Sequence, residues 1–230
     1  MKKYTTLLLD VDNTLLDFNA TEEKALALTF ETYGITYDEV VKTIYRKINH
    51  ELWRQYEAGQ IEKPQIFLSR FVLLFEEMGI NEDGVKFEKD YQYNLSEFPD
   101  EIEGAVDLVR DLSQDFDLYV VTNGVQLTQE KRLKASGLEI FMKDIFISEV
   151  IGYQKPSLEF FDYCFSKIPG LDKSQTIIIG DSLSSDILGG NNAGIDTCWY
   201  NPMGAKGKET IEVTYEIKDL SELKKILYHQ

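Results

Sequence analysis

The chain has 230 residues, of which 43% are hydrophobic, and it carries 40 acidic against 24 basic side chains for a formal net charge of −16. This hydrophobic content is enough to build a core and excludes a disordered chain, and the length predicts one large domain or two modest ones. The acidic balance argues against a protein that binds nucleic-acid polymers or an anionic membrane surface through lysine and arginine.

Short apolar runs rich in β-branched and aromatic residues recur along the chain. They cover residues 4–10, 116–124, 144–148, 175–182 and 196–200, with a further short run from residue 215. Each is apolar on both faces and flanked by turn residues, as buried strands of a parallel sheet are. Helical patterns separate the later runs, one over residues 105–112 and one that Ser157 would cap. This alternation predicts an α/β fold with a doubly wound, mostly parallel sheet, a Rossmannoid core.

The segment after the first strand shows helical periodicity throughout. Apolar residues step by three or four along residues 41–52 and 66–78. Three glycines stand where helices would end, namely Gly34, Gly59 and Gly79. The sequence therefore predicts a catalytic core of residues 1–17 and 99–230, interrupted by an all-helical insert of residues 18–98. Beyond the strand at 215, we expect a final helix capped by Ser221.

Acidic residues stand at the ends of two predicted strands. The first strand ends at Asp10, with Asp12 two residues on, and period-two alternation places both on one side. Asp181 follows the fourth strand, and Asp186 comes five residues later. Because ligands of open α/β sheets bind beyond the carboxyl ends of the strands, these acids should converge. Converging carboxylates need a cation, and a set of oxygen ligands suits Mg²⁺ better than zinc.

A cage for a phosphoryl group is predicted at the same edge. Thr122, Asn123 and Gly124 end the second strand, and Lys155 precedes Pro156. A hydroxyl, backbone amides, a lysine and Mg²⁺ would together bind phosphoryl oxygens. Within this cage Asp10 can attack phosphorus and form an aspartyl-phosphate. Asp12 is then placed to protonate the leaving oxygen and later to activate water.

Four motifs in this order resemble those of the haloacid dehalogenase (HAD) superfamily. They are D-x-D-x-T (Asp10, Asp12, Thr14), a threonine after an apolar strand (Thr122), Lys155-Pro156, and G-D-x-x-x-x-D (Gly180, Asp181, Asp186). The resemblance implies that Asp10 is both nucleophile and Mg²⁺ ligand, and that Asp12 binds the metal through its backbone carbonyl. It also implies that Asp181 is a direct ligand and that Asp186 holds a metal-bound water. Thr122 and Lys155 would bind phosphoryl oxygens, and the insert resembles a type-1 cap that closes over the substrate.

A finer resemblance is to the YjjG/YfnB-like pyrimidine 5′-nucleotidases. It is carried by LLDVDNTLLDF, INHELWRQYEAG, VVTNGVQLTQEKRL, GYQKPSLEFF and IIGDSLSSDILGG. It implies dephosphorylation of nucleoside monophosphates such as dUMP, dTMP and UMP. Phe18, Trp53 and Tyr56 are candidates to contact the base, because aromatic rings stack on bases. For Trp53 and Tyr56, packing inside the insert is the alternative.

Other functions stay open at this point. A sugar-phosphate phosphatase or a phosphomutase would carry the same core motifs, and a non-catalytic binding protein on this fold is a remote alternative. We expect a small phosphomonoester as the substrate and a monomer or homodimer as the assembly. Cys164 and Cys198 lie in apolar segments and are predicted to be buried free thiols. With no signal sequence or membrane span in evidence, a soluble, cytoplasmic protein is expected.

Overall fold

The computed structural model describes residues 3–228, apart from the side chain of residue 57, so the first two and last two residues of the predicted core lie outside it. Its helices are α1 (Phe18–Thr32), α2 (Glu39–Glu57), α3 (Lys63–Met78), α4 (Gly84–Ser96), α5 (Ala105–Leu112), α6 (Gln126–Ala135), α7 (Ser148–Ile151), α8 (Leu158–Lys167), α9 (Leu188–Ala193) and α10 (Leu223–Tyr228). The chain divides into two compact units, one of Met1–Phe18 with Pro99–Gln230 and one of Asn19–Phe98. Among residues 3–228, every helix is too short or too polar for a membrane crossing.

The first unit is organised around a parallel sheet, which has six strands within the described residues. The strands are β1 (Thr6–Leu9), β2 (Asp117–Thr122), β3 (Asp144–Ile147), β4 (Thr176–Gly180), β5 (Asp196–Tyr200) and β6 (Tyr215–Ile217). They lie in the order β3-β2-β1-β4-β5-β6, and every neighbouring pair is parallel. β1 is central and fully buried, as expected for a parallel sheet covered on both faces. The predicted α/β fold is confirmed.

Alternate residues of β1, β2 and β4 enter two different apolar clusters. Leu7 and Leu9 of β1 belong to one cluster, and Leu8 belongs to the other. Because successive side chains on a strand point to opposite faces, the clusters lie on the two sides of the sheet. Cys198 is in the first cluster and Cys164 in the second. Both are buried free thiols, as predicted.

Two helix starts test the predicted caps. Ser157 Oγ accepts a bond from a backbone N–H in the first turn of α8, as predicted. The predicted cap at Ser221 is wrong, because a 3₁₀ turn (Leu220–Glu222) precedes α10 and begins earlier. The Asp219 carboxylate accepts from the N–H of Ser221 at 2.8 Å, and the Glu222 carboxylate accepts from the N–H of Asp219 at 3.0 Å. This capping box satisfies the first free N–H groups of the segment.

The second unit contains α2, α3, α4 and all but the first residue of α1. Gly34, Gly59 and Gly79 follow α1, α2 and α3 with φ of 66°, the left-handed backbone that favours glycine at helix ends, as predicted. Inside the unit, the buried Arg70 guanidinium donates to both carboxylate oxygens of Glu88, at 2.6 and 2.7 Å. A charge pair can be buried in this way because each ion satisfies the other.

Candidate active site

Asp10 follows β1 and continues the hydrogen bonding of the sheet. Its backbone N–H donates to the carbonyl of Ile179 in β4 at 2.9 Å, and the residue is only 6% exposed. Lys155 Nζ donates to Oδ1 at 2.7 Å, and Thr14 Oγ1 donates to Oδ2 at 3.1 Å. Thr14 reaches back because the chain turns here, with its own N–H bonded to the Val11 carbonyl. Both oxygens of the buried carboxylate are thus held in a defined orientation.

Lys155 is buried and uses all three donors of its ammonium. Nζ donates to Asp10 Oδ1 at 2.7 Å, to Asp186 Oδ1 at 2.6 Å and to the carbonyl of Val121 at 2.8 Å. The Asn123 side chain fixes the backbone of Lys155, because it donates to the carbonyl and accepts from the N–H, both at 2.9 Å. The ammonium therefore links Asp10 after β1 and Asp186 after β4 to the backbone of β2 near its carboxyl end.

Asp181 and Asp186 come from the segment after β4. Gly180 ends that strand, and the Asp186 carboxylate occupies the space that a Cβ on residue 180 would need. Asp186 Oδ2 accepts from the N–H of Ser182 at 3.0 Å. One carboxylate oxygen from each of Asp10, Asp181 and Asp186 lies within 4.8 Å of the other two. The fold thus brings together three acids from two distant motifs.

The charges in this group perturb one another. Burial raises the pKa of Asp10 to about 7, with the Asp186 charge adding to the effect and Lys155 opposing it. Burial also raises the pKa of Asp181 to about 8, reinforced by the charges of Asp10 and Asp186. Burial lowers the pKa of Lys155, but the charges of Asp10 and Asp186 outweigh it and the net direction is upward. Ionisation of both Asp10 and Asp181 is therefore unfavourable without a further cation.

The Asp12 carboxylate has a different set of partners. Arg132 Nη1 donates to Oδ1 at 2.6 Å, and Gln129 Nε2 donates to Oδ2 at 2.5 Å. The side chain is 27% exposed, whereas Val11 is buried in the same apolar cluster as Leu7. Among the described residues, Asp10, Asp181 and Asp186 form the carboxylate group that could hold a metal ion, and the Asp12 side chain is not part of it. Metal binding through its backbone carbonyl stays a prediction.

Residues 122–124 support neighbouring side chains. Thr122 Oγ1 accepts from the N–H of Gly124 at 3.0 Å and from Gln129 Nε2 at 3.1 Å. A Cβ on residue 124 would overlap the Gln129 side chain, so a larger residue there would displace Gln129. Asn123 holds the backbone of Lys155 through its side-chain amide. The binding of phosphoryl oxygens by Thr122, Asn123, Gly124 and Lys155 stays a prediction.

The three predicted base-contacting aromatics lie in different surroundings. Phe18 begins α1, and the Arg132 guanidinium lies 5.6 Å from its ring centroid. Trp53 and Tyr56 belong to α2, with ring centroids 5.7 Å apart, and Trp53 also meets Phe67 edge-on at 6.4 Å. Tyr56 is only 5% exposed. The observed contacts of Trp53 and Tyr56 are packing contacts within the helical unit, and base binding by any of the three stays a prediction.

Comparison with known proteins places the chain in a family. The model of the haloacid dehalogenase-like hydrolases matches residues 7–200. The chain belongs to this family. It is 49% identical to the HAD-hydrolase YfnB of Bacillus subtilis, over 99% of this chain and 97% of YfnB. A crystal structure of YfnB bound to magnesium superimposes with a TM-score of 0.95, covering 98% of this chain and 99% of that one.

Two further relatives of this HAD hydrolase are pyrimidine 5′-nucleotidases. PynA of Streptococcus pneumoniae is 39% identical over 96% of this chain and 93% of its own length. YjjG of Escherichia coli is 31% identical over 98% of both chains. The resemblance inferred from the sequence motifs is therefore confirmed.

Gln129 and Arg132 of this HAD hydrolase were not among the site residues predicted from the sequence. They stand three residues apart on α6 and therefore share one helix face. A signal was available, because both polar residues lie on α6, which begins two residues after Gly124, and Arg132 stands beside the apolar Leu133. Their partner Asp12 is 117 residues from Gln129 and 120 from Arg132. No local pattern encodes a contact over that separation.

The acids of this HAD hydrolase fit a hard divalent cation. Asp10, Asp181 and Asp186 would supply carboxylate oxygens, the ligands that Mg²⁺ prefers. The raised pKa values of Asp10 and Asp181 indicate that the group lacks compensating positive charge even beside Lys155. A divalent cation would provide that charge.

We expect Mg²⁺ to stabilise this protein more as the pH rises. In the metal-free protein, the raised pKa values of Asp10 and Asp181 favour their protonated forms, so their contribution to stability is fully present below about pH 4, the range in which an unfolded aspartate is protonated, and is lost by the time the pH has risen through about 7 to 8. Mg²⁺ would bind the ionised carboxylates and release their protons. Melting curves in Mg²⁺ and in EDTA should therefore differ little at about pH 5.5 and most above about pH 8. An equal Mg²⁺-induced rise in Tm at both pH values would contradict this expectation.

Proposed function

We propose that this HAD hydrolase is a Mg²⁺-dependent phosphomonoesterase whose Asp10 forms an aspartyl-phosphate. The observation that carries the proposal is the buried Asp10 carboxylate, oriented by Thr14 and Lys155 beside Asp181 and Asp186. Phosphoryl transfer to a carboxylate needs such an oriented nucleophile with positive charge close to the phosphoryl oxygens. The magnesium bound in the YfnB crystal structure supports the same cofactor in this close relative.

In the first step, an Asp10 oxygen attacks the phosphorus of the substrate. The new bond joins phosphorus to Asp10, and the bond between phosphorus and the ester oxygen breaks. Asp12, in its protonated form, gives its proton to the departing oxygen, so that an alcohol leaves instead of an alkoxide. Thr14 and Lys155 orient the attacking carboxylate through their hydrogen bonds to its two oxygens.

In the second step, the ionised Asp12 removes a proton from a water molecule as that water attacks the phosphorus. The bond between phosphorus and Asp10 breaks, phosphate leaves, and both carboxyl groups return to their starting states. The positive charge of Lys155 and the backbone N–H dipoles of residues 123 and 124 would stabilise the negative charge of the phosphoryl oxygens. Mg²⁺ held by Asp10, Asp181 and Asp186 would supply further positive charge for those oxygens when bound.

We further propose that the substrates are (deoxy)pyrimidine nucleoside 5′-monophosphates. The support is the similarity to PynA and YjjG, which are pyrimidine 5′-nucleotidases and match almost the whole chain. The aromatic candidates for base contact are Phe18, Trp53 and Tyr56. Of these, Phe18 is the nearest in sequence to the proposed nucleophile, eight residues after Asp10.

A panel of phosphomonoesters tests the substrate. In Mg²⁺, we expect kcat/KM for dUMP, dTMP and UMP to exceed the values for purine nucleotides and hexose phosphates by at least about 10-fold, the scale on which a shaped pocket discriminates between substrates, because the relatives PynA and YjjG are pyrimidine 5′-nucleotidases. An Asp10→Asn preparation serves as the control for contaminating phosphatases. Preference for hexose phosphates would contradict the nucleotidase proposal and leave the phosphomonoesterase standing. Isomerisation of a sugar phosphate without phosphate release would indicate a phosphomutase instead.

A further inference from the structure

One turn of α6 holds both carboxylate oxygens of Asp12. Arg132 Nη1 donates to Oδ1 at 2.6 Å, and Gln129 Nε2 donates to Oδ2 at 2.5 Å. Gln129 Nε2 also donates to Thr122 Oγ1 at 3.1 Å, which ties the pair to the end of β2. The carboxylate is therefore fixed by two donors on one rigid element, whereas a solvated aspartate would sample several rotamers.

We propose that Gln129 and Arg132 are positioning residues that hold Asp12 for its proton transfers. This inference rests on the proposed function, in which Asp12 acts as general acid and base. Proton transfer demands placement within hydrogen-bond reach of the leaving oxygen. The two α6 side chains would supply that placement without touching the substrate themselves.

The surrounding structure is arranged so that the two donors reach Asp12. Residue 124 is glycine, and a Cβ there would overlap the Gln129 side chain. Arg132 is completely buried, with its guanidinium 5.6 Å from the ring centroid of Phe18. The Phe18 ring and the Asp12 carboxylate thus both contact the guanidinium and restrict its orientation.

Burial of Arg132 lowers the stability of the fold, so packing alone does not explain why an arginine stands there. Its Nε and Nη2 groups, and Oε1 of Gln129, are buried and have no hydrogen-bond partner among residues 3–228. Buried polar groups without partners destabilise a fold, and an apolar residue of similar size would avoid that cost. The Arg132 guanidinium donates its hydrogen bond to Asp12, so we assign the role of Arg132 to holding Asp12 and not to the packing of α6.

The test compares two aryl phosphates that differ in their need for an acid. Phenyl phosphate releases a basic phenolate unless the oxygen is protonated, whereas 4-nitrophenyl phosphate releases a stable anion. In Mg²⁺, kcat/KM reports the steps through formation of the aspartyl-phosphate. We expect Arg132→Met to lower kcat/KM for phenyl phosphate by about 100-fold, the scale of general acid catalysis, and for 4-nitrophenyl phosphate by less than about 10-fold. Gln129→Leu should show the same selectivity with a smaller loss.

Lys134→Met is the matched control, because it removes the same charge from an exposed position of α6. Lys134→Met should change kcat/KM only slightly, and by the same factor for both substrates. Equal losses on the two substrates in both Arg132→Met and Gln129→Leu would overturn the inference, since a merely structural role predicts them. If Arg132→Met does not fold, Gln129→Leu decides alone. Failure of the proposed function would look different: Asp10→Asn would stay active, or Asp12→Asn would lack the same selectivity for phenyl phosphate.

Discussion

Asp10→Asn is expected to abolish phosphomonoester turnover, with a loss on the order of 10⁴-fold or more, as for removal of other catalytic nucleophiles. The substituted amide retains the size of the side chain but cannot form the acyl-phosphate bond. Phosphate release in Mg²⁺ measures the loss directly. A variant that retains the full rate would contradict the aspartyl-phosphate mechanism.

The same substitution should not unfold the protein. The pKa of Asp10 is raised by burial and by the charge of Asp186, so its ionised form is unfavourable in the metal-free fold. Asparagine removes that charge while Lys155 keeps its bonds to Asp186 and to the Val121 carbonyl. We therefore expect an unchanged or higher Tm in EDTA at about pH 8. Asp107→Asn, at a side chain that is 78% exposed, is the matched control and should leave both activity and Tm unchanged.

Lys155→Met is expected to impair both catalysis and stability. Loss of a buried positive charge next to the proposed nucleophile Asp10 should lower kcat by about 10²- to 10³-fold. In EDTA, the free energy of unfolding should fall by about 3–5 kcal/mol, because the buried acids lose their charge partner. Asp10 and Asp186 make ion pairs with Lys155 at 2.7 and 2.6 Å in the wild type. Urea denaturation and steady-state kinetics measure the two effects.

The stability deficit of Lys155→Met should depend on pH and on metal. Lys155 lowers the pKa of Asp10, although burial keeps it at about 7. Without Lys155 that pKa rises further, so the deficit should shrink as the pH falls below about 7 and Asp10 becomes neutral. Mg²⁺ should also narrow the deficit, because it replaces part of the missing positive charge. Lys143→Met, at a side chain that is 62% exposed, is the control. An undiminished deficit at low pH would contradict the electrostatic cause.

The strands of the core were predictable because each is a local pattern. β1, β2, β4 and β5 are short apolar runs between turn residues, and a parallel sheet buries such runs on both faces. The cap of α8 was predictable for the same reason, since Ser157 and the N–H it accepts are close in sequence. The start of the last helix was missed because Asp219 and Ser221 are both capable caps, and the capping box with Glu222 selects Asp219.

The converging acids were predictable in type and in position along the chain. Asp10 and Asp181 come directly after apolar strands, and the carboxyl ends of parallel strands lie at one edge of the sheet. The partner of each acid was decided by tertiary structure. Lys155 meets Asp10 across 145 residues of sequence, and Asn123 supports Lys155 with its side chain, whereas the sequence suggested a phosphoryl-binding role.

The sequence by itself therefore determined the sheet-forming runs, the motif residues and their chemical types, because these depend on short-range periodicity and on chain order. Tertiary structure alone decided that Asp12 faces Gln129 and Arg132 while Asp10 faces Lys155 and the other acids. The two aspartates are separated by one residue, but their surroundings come from different parts of the chain. Side-chain direction and burial are set by packing among distant segments, and those long-range contacts leave no periodic signal in the sequence.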